Sequence, residues 1–195
     1  MLLGLVGSEM CIRDRVMDRW ARVSVLTPRR AVNLLQLSVS YRTAKRSGQP
    51  QMPPNVMPTS LSIEPTTSCN LRCPECPSGL RSFTRPTGML NVDHACRWID
   101  ELAPWLTYVN LYFQGEPLLH PKLDQLIAQC HRHGIYSSTS TNAHHLTEAK
   151  CHALIDAGLS RLIVSIDGLT QETYASYRVG GTLTKVMEGT RNMVE

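Results

Sequence analysis

Four short runs rich in β-branched and aromatic residues punctuate the chain, at 60–64, 107–113, 135–140 and 162–166. They read as strands. Between them apolar residues recur three and four apart, the period of a helix with one buried face. One such stretch starts at Asn91, a good N-cap, and continues through Ala95, Trp98, Ile99 and Leu102. A second runs from Pro121 to Gly134, with Leu123, Leu126, Ile127 and Cys130 on its apolar stripe. A third begins after Thr147 and ends at Gly158. Past the fourth run come a short helix near Gln171–Tyr177, a Gly180-Gly181 turn, and a helix from about Thr184 onward. Strands alternating with helices of this length predict an α/β fold: four βα units around a parallel sheet.

Ahead of these units the pattern changes. Residues 16–48 hold seven basic residues against one acid, Asp18, whereas the chain from 49 onward is slightly acidic. Thr27-Pro28 suits an N-cap and first helical position. Val32, Leu34, Leu35, Leu37 and Val39 then predict a helix ending near Ser47-Gly48, followed by a proline-rich linker to Pro58. Residues 16–58 are thus expected to form a basic helical arm. It could meet an anionic surface, and a solvated helix packed on the βα units is the simpler reading. Aromatic interleaving is sparse, so nucleic acid is not an expected partner. Residues 1–15 are set apart. Met10-Cys11-Ile12-Arg13-Asp14-Arg15 resembles a translated sequencing adapter, and the segment is read as an assembly artefact in which Cys11 has no role.

Composition adds limits. Hydrophobic residues make up 42% and charged residues 18%, an ordinary globular balance for one domain. No apolar run approaches the ~18 residues of a membrane span. Seven unevenly placed cysteines are not a secreted disulfide scaffold. They point to a reducing compartment, the cytoplasm, and to metal chemistry.

Three of those cysteines carry the strongest signal. Cys69, Cys73 and Cys76 lie at i, i+4 and i+7, just after the first strand. Pro74 and Pro77 make the segment a loop. Iron–sulfur clusters are normally held by four cysteines, and structural zinc by four ligands. Three thiolates leave one coordination position open, as in metal sites that do chemistry. A zinc site completed by a histidine and three buried thiols are the alternatives. Cys96, Cys130 and Cys151 fall at apolar helical positions and read as core thiols.

Barrels of βα units carry their active sites where the strands end. Strand two ends in Gln114-Gly115-Glu116-Pro117, strand three in Ser140-Thr141-Asn142, and strand four in Ser165-Ile166-Asp167. Gly115 allows close backbone approach, and Pro117 stops strand pairing. Glu116 can accept from an ammonium group. Ser140, Asn142, Ser165 and Asp167 suit hydroxyl and carboxylate recognition. Arg178 could reach back as a carboxylate clamp. His144 and His145, on the same rim, could serve substrate binding or proton transfer. A plain turn at Gly115, strand caps at Asn142 and Asp167, and a surface Arg178 are the bland counterparts.

Together the C-x3-C-x2-C loop and the rim motifs resemble the radical S-adenosylmethionine (radical SAM) superfamily. The resemblance implies a [4Fe-4S] cluster on Cys69, Cys73 and Cys76. Its fourth iron would be chelated by S-adenosyl-L-methionine (SAM), which an electron from the cluster cleaves to a 5′-deoxyadenosyl radical. Gln114–Pro117 is similar to the motif that binds the SAM amino group. Ser140/Asn142 and Ser165/Asp167 match positions that contact its ribose and methionine ends. Gln114 replaces a glycine of the family, Ala143 stands where glycine is frequent, and Glu75 where an aromatic commonly packs near adenine. The nearest subgroup is the SPASM-type enzymes. Membership implies hydrogen abstraction from a peptide or small-molecule substrate and an electron donor such as flavodoxin or ferredoxin. The family fold is a (β/α)6 TIM-like barrel. Residues 59–195 are therefore expected to be a C-terminally truncated partial barrel of about four units.

Overall fold

The computed structural model describes residues 18–49 and 56–194; the segment read as an artefact lies outside them. Helix α1 covers 18–24 and α2 Pro28–Ser47. There follow β1 (Ser60–Ser62), α3 (Pro77–Leu80), α4 (Val92–Leu102), β2 (Tyr108–Asn110) and a 3-10 turn (Pro117–Leu119). Next come α5 (Leu123–Arg132), β3 (Tyr136–Thr141), α6 (Glu148–Asp156), β4 (Arg161–Val164), α7 (Gln171–Tyr177) and α8 (Leu183–Val194). The strands form one parallel sheet in the order β1-β2-β3-β4. This is the α/β fold of a partial βα barrel. The strands are shorter than their apolar runs, because the backbone leaves the ladder early to form the rim. Gln114 N–H, for instance, already donates to the Glu64 carboxylate at 3.1 Å.

Local signals placed the helices well. Asn91 and Thr147 accept from the backbone N–H groups of His94 and Lys150 as side-chain N-caps. Gly134 sits past α5 at φ +56°, the left-handed conformation that ends helices. Trp98 departs from its expected place. Val92, Ala95 and Ile99 are the buried side of α4, and Trp98 is 46% exposed.

The register sets which face is covered. Leu61, Val109 and Ser137 lie side by side, and Leu162 and Val164 flank Thr139 and Thr141. Val109 and Leu111 pack there with Ile99, Leu106, Leu126, Ile127 and Leu154, all fully buried. Strand β3 brings hydroxyls into this apolar layer. Thr139 Oγ1 donates to Leu111 O (3.0 Å), Thr141 Oγ1 to Glu116 (2.6 Å), and Ser137 Oγ accepts from Ser160 N–H (3.4 Å). These three hydroxyls are thereby satisfied, which helps make a polar core strand tolerable, while the buried Ser138 hydroxyl on the same strand has no partner.

The basic arm is fastened beneath the sheet. Arg30 is 3% exposed. Its Nη1 donates to Val25 O and Gly134 O (both 2.7 Å), and its Nη2 to Ala103 O (2.9 Å) and His133 O (2.8 Å). It thus joins the C-terminal ends of α4 and α5, where a cation also meets the negative helix dipoles. Asn33 exchanges two 2.9 Å hydrogen bonds with the Met57 backbone. The arm therefore packs through polar residues, while Val32, Leu35 and Val39 of its expected apolar stripe are exposed.

Candidate active site

The opposite ends of the strands surround one open cavity of about 370 Å³. Cys69, Cys73 and Cys76 line it, together with Gly115, Glu116, Ser140, Asn142, Ser165 and Arg178. All four rim segments thus converge. Two expected site residues stand back from the wall. Pro117 is buried at the start of the 3-10 turn, and Asp167 is joined to the cavity through an ion pair with Arg178.

The cysteine loop is irregular from Cys69 to Cys76. Pro77, expected within the loop, instead opens α3, with Cys76 at the cap position. Its fixed φ and missing N–H suit a first helical position. The three sulfurs have different surroundings. Cys69 Sγ accepts from Leu71 N–H (3.5 Å) and Asn142 Nδ2 (3.8 Å). Cys73 Sγ faces Arg178 Nη1 at 3.9 Å. Cys76 Sγ donates to Gln114 O at 3.7 Å. Burial pushes the Cys69 thiol up; the Leu71 N–H opposes this, and Glu116, Cys73 and Cys76 add to it. Among the described residues no three His, Cys, Asp or Glu side chains converge as ligands of one metal ion. The three soft donors instead share the wall of one cavity, a set that fits separate corners of a cluster.

Gly115 owes its place to the protein itself. A Cβ there would overlap the Thr66 carbonyl and approach Ser68 O at 3.0 Å. Glu116 N–H donates to the same Ser68 O at 2.8 Å. The close approach expected at a ligand is thus made to the turn before Cys69. Glu116 is 3% exposed. Its oxygens accept from Leu118 N–H (3.1 Å), Thr141 Oγ1 (2.6 Å) and Asn142 N–H (2.8 Å). A carboxylate has about four acceptor sites, so most of its capacity is spent inside the chain. Burial raises its pKa against the pull of these bonds.

The remaining rim residues also pair with one another. Ser140 and Ser165 hydroxyls lie 3.3 Å apart. Arg178 and Asp167, expected as separate ligand contacts, form a salt bridge, and Arg178 reaches Cys73 from it. Desolvation works against the Arg178 charge, but Asp167 and Cys73 outweigh it and hold its pKa above the ordinary value. His144, one of two rim histidines that could serve substrate binding or proton transfer, has both ring nitrogens hydrogen-bonded within the chain, to Asn142 and Thr182. Sequence reasoning missed Gly79, where a Cβ would meet Cys73 N at 2.6 Å. A glycine two residues after Pro77 was the available signal. Gln114, read as standing in place of a glycine, has a side chain that accepts from Arg85, itself paired with Glu64, a contact the sequence did not signal.

The radical SAM superfamily description matches residues 63–195. The chain belongs to the radical SAM superfamily. Its members are enzymes. The AdoMet-dependent heme synthase of Methanosarcina barkeri is 32% identical over 133 residues, covering 68% of this chain and 38% of that one. The GTP 3',8-cyclase of Hydrogenovibrio crunogenus is 37% identical over 134 residues, 66% of this chain and 40% of its own. The PqqA peptide cyclase of Rhodopseudomonas palustris is 32% identical over 126 residues, 64% and 32% of the two chains. The chain spans about two fifths or less of these relatives. Among solved structures, anSMEcpe with bound AdoMet aligns at a TM-score of 0.59 and 22% identity, over 70% of this chain and 41% of that one. Streptococcus suis SuiB bound to S-adenosylmethionine gives 0.53 and 17%, over 72% and 31%. These two share the fold of this chain.

Proposed function

We propose that this radical SAM chain binds a [4Fe-4S] cluster and SAM, and that it serves hydrogen abstraction from a peptide or small-molecule substrate. The observation that carries the reading is the meeting of three cysteines and all four strand rims in one cavity. Cys69, Cys73 and Cys76 would hold three irons, leaving the fourth for SAM. When bound, the cluster supplies the electron for reductive cleavage of SAM to a 5′-deoxyadenosyl radical. The chain's own residues bind and orient. The paired Ser140 and Ser165 hydroxyls offer hydrogen bonds to SAM, and Asn142, its carboxamide engaged by Asn70, Cys69 and His144, holds the wall beside them. Arg178, backed by Asp167, brings a cation to the cavity wall for a carboxylate. Gly115, Glu116 and Pro117 shape the rim that receives the SAM amino group, with Glu116 holding the Asn142 and Leu118 N–H groups in place.

Peptide substrates are supported by the PqqA peptide cyclase relatives and by SuiB, solved bound to its precursor peptide SuiA. An electron donor such as flavodoxin or ferredoxin would reduce the cluster. No helix among the described residues is long and apolar enough to cross a membrane, and the free cysteines favour the reducing cytoplasm. In this reading residues 59–195 are the catalytic barrel portion and 16–58 the arm. A zinc site on the same cysteines is the competing reading, and the lack of convergence on one ion weighs against it.

Anaerobic reconstitution tests the proposal. Iron, sulfide and a visible charge-transfer band are expected, with an electron paramagnetic resonance spectrum that changes on adding SAM. Alanine at Cys69, Cys73 or Cys76 is expected to abolish bound iron, and alanine at Cys96, Cys130 or Cys151 to leave it unchanged. Stoichiometric zinc in a colourless protein, or full iron in any one of the first three variants, would overturn it.

A further inference from the structure

We infer that His144 is a positioning residue that aims the Asn142 carboxamide at Cys69 and thereby tunes the cluster. The inference rests on the reading that Cys69 is a cluster ligand.

The hydrogen-bond directions leave little freedom. Thr182 N–H can only donate, and it lies 2.8 Å from His144 Nε2. Nε2 must therefore be the bare, accepting nitrogen. In a neutral imidazole the proton then sits on Nδ1. Nδ1 lies 3.0 Å from Asn142 O and 3.1 Å from Asn142 Oδ1, both acceptors. The His144 backbone N–H donates to the same Oδ1 at 3.1 Å. With Oδ1 held by these donors, Asn142 Nδ2 must point the other way. It donates to Asn70 Oδ1 at 2.8 Å and to Cys69 Sγ at 3.8 Å.

The imidazole is itself held. It stacks on the buried Tyr174 ring at a centroid distance of 6.5 Å. Burial lowers its pKa, in keeping with a neutral ring. Thr182 belongs to a strap that also grips the cysteine loop. Arg72 N–H donates to Val179 O at 2.9 Å, and Arg178 faces Cys73 Sγ. His144 thus links this strap to the amide that touches Cys69.

A hydrogen bond to a cluster sulfur stabilises the reduced, more negative cluster and so raises its reduction potential. Outer groups that orient such donors act on the metal without touching it. His144→Phe keeps an aromatic ring and its stacking surface but removes both ring nitrogens, leaving the backbone N–H of residue 144 as its one remaining donor to Oδ1, so the carboxamide is held less firmly.

The test is a redox titration of the reconstituted protein, followed by electron paramagnetic resonance. With full iron bound, His144→Phe and Asn142→Leu are expected to shift the midpoint potential in the same, negative direction. The double variant is expected to go no further than Asn142→Leu alone. An unchanged potential in His144→Phe, or additive shifts, would refute the inference while leaving the cluster assignment intact. Absence of any cluster in the wild-type protein would defeat both. Nitrogen-15 NMR of the unsubstituted protein gives a check that needs no variant to fold: a neutral His144 ring with the proton on Nδ1 at pH 7 is required. A charged ring or the Nε2–H tautomer would sink the idea.

Discussion

The two ends of the sheet each bury one charged side chain, and the chain uses them differently. Arg30 lies beneath the N-terminal ends of the strands and Glu116 at their C-terminal rim; both are 3% exposed. The Arg30 guanidinium donates to carbonyls from four residues and makes no other polar contact among the described residues. Glu116 also satisfies backbone and hydroxyl donors, yet it lines the cavity that holds the three cysteines. A buried charge at the lower end staples secondary structure together. At the upper end it does the same work on the wall of a cavity, beside the paired Ser140 and Ser165 hydroxyls. The contrast follows the general division of βα barrels into a stability face and a reaction face.

That division can be broken by substitution. Arg30→Ala strands carbonyls at the ends of α4 and α5. Charge-assisted bonds of this kind contribute about 1.5–3 kcal/mol each, and not additively, so a loss of roughly 3 kcal/mol in urea unfolding is expected. Iron binding by the folded protein should be unchanged; a selective loss of iron would show that the two ends are coupled. Lysine at 30 should rescue poorly, because it lacks the planar fork.

Gly115→Ala reverses the pattern. Overpacking against the Thr66 and Ser68 backbone costs roughly 1–3 kcal/mol, and the strain falls on the turn that leads into Cys69. Reduced iron retention and SAM affinity, larger than the stability loss alone explains, is the expected result in equilibrium dialysis.

Acidification separates the ends more gently. Burial holds His144 below its ordinary value near 6.5. Below that pH the unfolded chain binds the proton more readily than the folded one, so this contribution to stability falls as pH drops. The urea midpoint of the metal-free protein should decline from about pH 6.5 toward 5, and His144→Phe should flatten the decline. An identical slope in the variant would assign it to other groups.

The smallest effect is expected at Ala143. It occupies the left-handed region at φ +62°, at the position where the family frequently has glycine. Ala143→Gly relieves about 1–2 kcal/mol of backbone strain and gives back roughly 0.5–1 in chain entropy. A net gain of about 0–1.5 kcal/mol should appear as a slightly raised midpoint.

Much of this protein was legible in one dimension. Helix starts at Thr27, Asn91 and Thr147, the stop at Gly134 and the order of βα units depend on residues within a turn of one another. Backbone capping and period are local physics, so local sequence determines them. The three cysteines were equally plain, because spacing alone brings them to one loop. What only the tertiary structure decided were the partners of long, polar side chains. Arg30 looked like one of seven solvated charges, and it is buried because carbonyls more than seventy residues away wait for it. Arg178 and Asp167 looked like two ligand contacts and found each other. His144 could be placed on the rim, but not its partners Asn142 and Thr182. A charged or hydrogen-bonding group takes whichever complementary group the fold brings within about 3 Å, and that choice is made by the packing of distant segments.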